Sequence, residues 1–119
     1  TPYLTVDANR MRQAVNNLLN NALRHTPEKG QIMVTVIEKV DGLHILVRDS
    51  GSGIEAAHLP FVFDRFYRTD SARSRDQGGT GLGLAIVKGI VEAHKGTVTA
   101  VSPGASQGST FEISLPSLA

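Results

Sequence analysis

The sequence contains no cysteine and no tryptophan, and it carries no strong excess of either charge. Without cysteine, the chain cannot form a disulfide, a thiolate zinc site or a cysteine nucleophile. Lys and Arg number 12 against 11 Asp and Glu, for a net charge of +1. This balance argues against a non-specific nucleic-acid binder, because such proteins need a basic stripe to displace counterions. The longest apolar runs are far shorter than the roughly 20 residues that cross a bilayer.

The overall composition is that of an ordinary globular domain. Hydrophobic residues make up 40% of the 119 residues and charged residues 19%, and single domains most often have roughly 100–150 residues. The chain starts with Thr1 rather than Met, and no signal peptide is visible. We therefore expect residues 1–119 to form a single domain that is part of a longer protein.

Hydrophobic periodicity predicts the order of the elements. The pattern does not alternate strand and helix as a doubly wound sheet would. It favours an α+β fold, a two-layer α/β sandwich in which three helices cover one face of a mixed, mostly antiparallel sheet of about five strands. The predicted elements are a strand at 3–7, a helix at 8–25 capped by Asp7, a hairpin at 31–49 turning at Asp41-Gly42, helices at about 55–60 and 82–95, and a strand pair at 96–102 and 109–116.

Residues 64–80 follow no period and contain four arginines. A loop of this length inside a compact domain usually has a function, and lids are a common case. The adjoining segment 61–67 holds four of the six aromatic residues of the chain. These aromatics (Phe61, Phe63, Phe66 and Tyr67) could anchor the loop in the core or form a docking surface.

All five asparagines lie between Asn9 and Asn21, although asparagine is a poor helix former. Helical geometry places Asn17 and Asn21 one turn apart on the same side, with Arg24 following. The pattern is compatible with a solvated helix face. It is also compatible with a ligand site, because a side-chain amide oxygen can bind Mg²⁺ and the amide NH₂ can donate to a phosphate.

Asp49 ends an apolar strand face and is followed by the glycine-rich sequence SGSG. The carboxylate could start a turn, or it could accept a hydrogen bond from the exocyclic amine of a purine with Gly51 and Gly53 beside the ring. A second cluster, GGTGLG at 78–83, leads into a helix, and the exposed N–H groups of a helix start can cradle phosphate. Gly89, further along that helix, is interpreted as a glycine of close helix packing.

Taken together, the motifs are specific. NNLLNNALRHT resembles the N box of sensor histidine kinases, DSGSGI the first glycine box, FVFDRFYR the F box and GGTGLGLAI the second glycine box. The closing GQGSTFEISLP resembles the last strand motif of the same family. The chain thus resembles, over essentially its whole length, the catalytic ATP-binding domain of a two-component sensor histidine kinase. That resemblance implies the ATP-binding sandwich shared with gyrase, Hsp90 and MutL.

The resemblance also assigns residues to Mg-ATP. It implies that Asn21 binds Mg²⁺, that Asp49 reads adenine, that residues 64–80 form the ATP lid, and that Asn17, Arg24 and Arg68 act around the phosphates. His25 stands where relatives often carry Tyr. The further residues implied to contact ATP are Gly51, Gly53, Ile54, Gly79, Thr80, Gly81, Leu82, Gly83, Leu84 and Thr110.

Two departures from related ATPases refine this expectation. Asn17 occupies the position where the ATPases carry a Glu base, which implies slow hydrolysis and transfer of the γ-phosphate to another acceptor. None of the four histidines has the sequence context of the family's acceptor His. The resemblance therefore implies a partner, the dimerisation domain of the same kinase, which would carry that His.

The wider setting that the resemblance implies is a homodimeric parent kinase in the membrane, with this domain cytoplasmic, monomeric when isolated, and acting indirectly on a response regulator. Two alternatives remain open. One is an anti-sigma-factor kinase, in which the same fold phosphorylates a Ser, and the other is an ATP-sensing module without catalysis.

Overall fold

The computed structural model describes residues 7–51, 53–54, 57–64, 83–104 and 107–116. Four strands form one antiparallel sheet in the order β1-β2-β4-β3, and two α-helices pack against it. This confirms the predicted α+β class. The elements are α1 (Ala8–His25), β1 (Ile32–Lys39), β2 (Gly42–Asp49), a 3-10 turn (Leu59–Phe61), α2 (Gly83–Ala93), β3 (Thr97–Val101) and β4 (Ser109–Pro116).

Some finer expectations differ from the structure. The predicted strand at 3–7 falls almost entirely outside the described residues. Within the described residues the sheet has four strands, all antiparallel, instead of about five strands in a mixed sheet. Residues 55 and 56 of the short helix expected at about 55–60 lie outside the described residues, and the described part forms a 3-10 turn over Leu59–Phe61 instead of an α-helix. Pro60 lies in its first turn, and because proline has no N–H it limits the hydrogen bonding available to a longer helix.

Helix α1 spans the predicted residues because its ends are well capped. The Asp7 carboxylate accepts a hydrogen bond from the Arg10 N–H at 3.1 Å. At the other end, the Thr26 hydroxyl donates to the Ala22 carbonyl at 2.6 Å. Both contacts satisfy backbone groups that a helix leaves unpaired at its termini.

The core lies between the helices and one face of the sheet. Alternation along β2 and β4 turns every second residue towards α1 and α2. Phe111 is 2% exposed, and the ring of Phe63 meets it edge-on with centroids 5.9 Å apart. The other buried hydrophobic residues are Met11, Ala14, Leu18, Ala22, Ile45, Val47, Val62, Val87, Ile90, Val91, Ile113 and Leu115.

The β1–β2 hairpin turns one residue earlier than predicted. Lys39 pairs with Gly42, so Val40 and Asp41 form the turn and Gly42 is the first residue of β2. Gly42 has φ 146°, and a Cβ there would lie 1.9 Å from the Leu115 carbonyl oxygen. The glycine is required by the close approach of β4 as well as by the turn.

Helix α2 ends in a Schellman motif. The Gly96 N–H donates to the Val91 carbonyl at 2.9 Å and the Lys95 N–H to the Glu92 carbonyl at 2.9 Å. Gly89 does not pack closely against any described residue as interpreted, since a Cβ built there meets no described atom within 4 Å and the residue is exposed. In the part of the chain that the structure describes, neither α1 nor α2 has the length and apolarity that crossing a membrane requires.

Candidate functional site

Asp49 lies at the end of β2 and is buried, with 4% of the residue exposed. One carboxylate oxygen accepts the Gly51 N–H at 2.8 Å, and the other accepts the Ser109 hydroxyl at 2.8 Å. These contacts fix the carboxylate plane. A carboxylate accepts about four hydrogen bonds, so a fixed Asp49 retains capacity to accept from a ligand amine.

Ser109 is the residue that sequence reasoning missed. The resemblance assigned the contribution of the last strand to Thr110, but Ser109 is the residue paired with Asp49 in the sheet and buried beside it. Thr110 pairs with Arg48 and Val101. It faces the other side of the sheet because successive side chains of a strand alternate. The antiparallel register could have revealed this, since it brings residues of one face together.

The glycines beside Asp49 lie where backbones touch. A Cβ on Gly51 would lie 2.0 Å from the His25 carbonyl oxygen, so the end of α1 rests directly on the loop after β2. Gly53 has φ 69°, and its Cβ would lie 2.1 Å from the Gly104 carbonyl oxygen. Ile54 follows, partly buried against the core. Gly51, Gly53, Ile54 and Asp49 are therefore brought together as expected.

Helix α1 contributes the asparagines. Asn21 is 7% exposed, and within the described residues its side-chain amide makes no hydrogen bond. Asn17 is half-buried, and its amide NH₂ donates to the Gly83 carbonyl at 3.3 Å, which ties α1 to the start of α2. Arg24 is exposed one turn beyond the asparagines. The helix thus presents a polar stripe from the start of α2 to the loop that follows Asp49.

His25 ends α1 on the same side of the domain. Burial lowers the pKa of its imidazole, the positive charge of Arg24 lowers it further, and the negative charge of Asp49 opposes both effects. His25 is therefore biased towards its neutral form and lies within electrostatic range of the proposed adenine reader.

The remaining predicted site residues divide into two groups. Gly83 and Leu84 open α2, next to Asn17. The others lie outside the described residues, namely Arg68, Gly79, Thr80, Gly81 and Leu82, as does most of the predicted lid at 64–80.

The aromatic segment is divided in the same way. Phe63 packs against Phe111 in the core, whereas Phe61 is 48% exposed on the 3-10 turn. Phe66 and Tyr67 lie outside the described residues. The described aromatics thus include one core anchor and one surface residue.

The residues present fit a magnesium–nucleotide site better than a preformed metal centre. Among the described residues, no group of three or more His, Cys, Asp or Glu side chains is arranged to hold a metal. The buried Asn21 amide without a hydrogen bond offers one oxygen ligand. Because Mg²⁺ usually keeps several waters and leans on substrate phosphates, one such ligand fits the group.

Comparison with known proteins points in the same direction. Residues 6–119 match the family described as histidine kinase-, DNA gyrase B-, and HSP90-like ATPase. The chain is 50% identical over 107 residues to the sensor histidine kinase CusS of Escherichia coli K12, covering 89% of this chain and 22% of CusS. It is 43% identical over 116 residues to the sensor histidine kinase WalK of Bacillus subtilis, covering 96% of this chain and 19% of WalK. The chain thus spans about a fifth of the length of these relatives.

Solved structures share the fold. The mycobacterial sensor histidine kinase MprB superposes with a TM-score of 0.86 and 36% identity, over 96% of this chain and 76% of that one. Full-length ShkA in complex with AMPPNP superposes with a TM-score of 0.83 and 30% identity, over 98% of this chain and 23% of that one.

Proposed function

This chain belongs to the family of histidine kinase-, DNA gyrase B-, and HSP90-like ATPases, as the ATP-binding catalytic domain of a sensor histidine kinase, and we propose that it binds Mg-ATP and donates the γ-phosphate to a histidine on a separate dimerisation domain. The observation that carries the proposal is the buried Asp49 carboxylate, fixed by Gly51 and Ser109 at the end of β2. These two hydrogen bonds orient the carboxylate and leave it able to accept further hydrogen bonds from a ligand.

Adenine recognition follows from this arrangement. Asp49 accepts a hydrogen bond from the exocyclic amine, and a guanine in the same pose would present a carbonyl oxygen to the carboxylate instead. Two acceptors facing each other leave a buried polar group unpaired, and a site built for a donor rejects such an analogue strongly. The site therefore selects ATP over GTP.

The phosphates extend along α1 towards the start of α2. Asn21 supplies an oxygen ligand for Mg²⁺, and a magnesium ion offsets the charge of the phosphates when bound. Arg24 adds positive charge from α1, and the family resemblance gives Arg68 the same role. The resemblance also gives Gly79, Gly81 and Gly83 the role of letting backbone N–H groups approach the phosphates, a use that the start of a helix favours.

Transfer of the phosphoryl group needs positioning more than covalent help from this domain. A ring nitrogen of the acceptor histidine attacks the γ-phosphorus, the bond to the oxygen bridging the β- and γ-phosphates breaks, and ADP leaves. Asn17 has no useful basicity, so it cannot activate a water in place of the histidine. Its amide instead holds Gly83 at the start of α2.

The partner, by this proposal, is the dimerisation domain of the same kinase, with a response regulator further downstream. The exposed Phe61 and Ile86 supply apolar surface on the 3-10 turn and on α2 for that domain to contact. The names of CusS and WalK support a histidine acceptor over the serine acceptor of the anti-sigma-factor alternative.

A thermal melt tests the nucleotide site. Mg-ATP at about 100 times its Kd adds about 2.7 kcal/mol of stability, which is a Tm shift of several degrees for a domain of this size. Mg-GTP should give no such shift, ATP with EDTA a smaller one, and Asp49→Ala should abolish the ATP shift. Absence of any shift with millimolar Mg-ATP on the wild-type domain would refute the proposal in favour of a module that does not bind ATP.

A further inference from the structure

The β3–β4 connection, residues 102–108, contains a serine hydroxyl with several partners. The Ser102 hydroxyl oxygen accepts the Ile54 N–H at 3.0 Å and the Gly104 N–H at 3.2 Å. Its proton can be donated to the Gly108 carbonyl at 2.7 Å or to the Gly104 carbonyl at 3.2 Å. One side chain thus closes its own loop and binds a second loop, the one that follows Asp49.

The two loops also meet through their backbones. The Gly108 N–H donates to the Gly51 carbonyl at 3.1 Å. Gly53 and Gly108 both have positive φ, and a Cβ on either would lie within 2.3 Å of a carbonyl oxygen of the opposite loop. Because the two backbones approach so closely, a small shift of one loop against the other would produce a clash. The hydrogen bond from the Ile54 N–H to the Ser102 hydroxyl opposes such a shift directly after Gly53.

The bond belongs to one part of the candidate site. The loop that Ser102 binds carries Gly51 and Gly53, which the proposed function places beside the base. Asp49, just before that loop, accepts a hydrogen bond from Ser109, the first residue of β4 after the connection. Among the described residues, the Ser102 hydroxyl forms no hydrogen bond with Asn21, Arg24 or α2. Loss of the hydroxyl should therefore disturb the base end of the site and leave the phosphate end in place.

We propose that Ser102 is a positioning residue for adenine recognition, which holds the Gly51–Ile54 loop against the β3–β4 connection so that base and backbone meet at the right distance. The inference rests on the proposed function, since it assumes that this loop borders adenine. Alanine at this position leaves the Ile54 N–H and the Gly108 carbonyl without their partner, and an unmade hydrogen bond costs more than a made one contributes. Threonine keeps the hydroxyl.

The experiment compares Mg-ATP and Mg-GTP titrations of the wild-type domain, Ser102→Ala and Ser102→Thr by calorimetry. Ser102→Ala should raise the Kd for Mg-ATP about tenfold and lower the preference for ATP over GTP, and Ser102→Thr should restore both. Ser114→Ala is the matched control, because it removes a serine hydroxyl from β4 on the sheet face away from the helices. It should leave both values unchanged.

Hydrogen exchange gives a second measurement that does not need nucleotide. The Ile54 amide should exchange faster in Ser102→Ala than in the wild-type domain, while amides in the middle of β2 keep their protection. If Ser102→Ala does not fold, Ser102→Cys, whose thiol is a weak acceptor, is measured in its place with the same expectation. Wild-type affinity and ATP preference in a folded variant that lacks the hydroxyl would overturn the inference. Failure of the wild-type domain to bind Mg-ATP would instead overturn the proposed function.

Discussion

Outside the candidate nucleotide site, His44 forms ion pairs with two carboxylates among the described residues. It lies on the sheet face away from the helices and is 9% exposed. Its Nδ1 is 2.8 Å from a Glu112 carboxylate oxygen, and its Nε2 is 3.2 Å from an Asp41 carboxylate oxygen. Hydrogen bonds to Asp41 and then to Glu112 raise the pKa of His44, and the bond to His44 lowers the pKa of Asp41.

These shifts predict how stability depends on pH. A raised pKa in the folded state means that the contribution of His44 is fully present below its ordinary value of 6.5 and is lost as the pH rises through the folded value. The free energy of unfolding of the wild-type domain should therefore fall more steeply than that of His44→Gln as the pH rises above the ordinary value of 6.5. Urea denaturation at several pH values measures this difference, and equal slopes for the two proteins would contradict it.

The effect of His25 on the pH dependence of stability is opposite to that of His44. The pKa of His25 is lowered, so the folded state resists its protonation and loses stability as the pH falls below 6.5. The two histidines therefore act on opposite sides of that value. The comparison of wild type with His44→Gln isolates His44, since both proteins contain His25 and its contribution cancels in the difference.

Individual residues also show where sequence reasoning stopped. Asp49, Gly51 and Gly53 could be chosen from the sequence because the motif marks them and the structure brings them together. Ser109 could not be distinguished from Thr110, since both carry a hydroxyl and the choice depends on which strand face points inward. Ser102 and His44 gave no sequence signal, because each has one partner far away in the chain: Ile54 lies 48 residues from Ser102, and Glu112 lies 68 residues from His44.

At the scale of elements, α2 contains a glycine that the fold does not need. Gly89 lies inside the helix with open space around its Cβ position in the described structure. Glycine in a helix interior costs roughly 0.5–1 kcal/mol relative to alanine, because its unfolded backbone is more flexible. Gly89→Ala should therefore raise the free energy of unfolding by about that amount, as chemical denaturation would measure.

The matched control is a glycine whose Cβ has no space. A Cβ on Gly96, just after α2, would lie 2.4 Å from the Ser114 carbonyl oxygen. Gly96→Ala should destabilise the domain, so the two substitutions should change stability in opposite directions. A destabilised Gly89→Ala domain would show that the glycine serves a contact with another part of the protein.

The helices and strands themselves were largely predictable, and the reason is local. Helix α1 covers the predicted residues because its cap and its apolar stripe are both encoded within the segment. The hairpin turn was misplaced by one residue, since Gly42 is needed for the approach of Leu115 on β4, a contact that no local pattern contains. The prediction of a short α-helix before Asp64 did not allow for a local signal, the proline in the first turn of the 3-10 segment.

For the molecule as a whole, the two helices are joined near both ends of their contact. The Asn17 amide bonds to Gly83 at the start of α2. Near the end of α2, His94 accepts the Asp7 N–H on Nε2 at 2.9 Å while its Nδ1 donates to the Ile90 carbonyl at 2.8 Å. Asp7, at the start of α1, is thereby bonded to the end of the helix whose first turn borders the candidate phosphate site.

In the proposed function this domain binds ATP and a separate domain accepts the phosphate. The domain alone, incubated with Mg-ATP labelled on the γ-phosphate, should therefore bind nucleotide, release little phosphate and take up no label. Asn17 cannot act as a base towards water, and none of its own histidines stands in the context of an acceptor. Addition of the dimerisation domain of the parent protein should transfer the label to a histidine there, giving a phosphoramidate that is lost in acid and kept in alkali. A label that survives acid would indicate a serine acceptor, and rapid phosphate release by the isolated domain would show that another group activates water. Asp49→Ala should abolish the transfer at ATP concentrations that saturate the wild-type domain, because it removes the adenine contact and leaves the phosphate-binding residues of α1 in place.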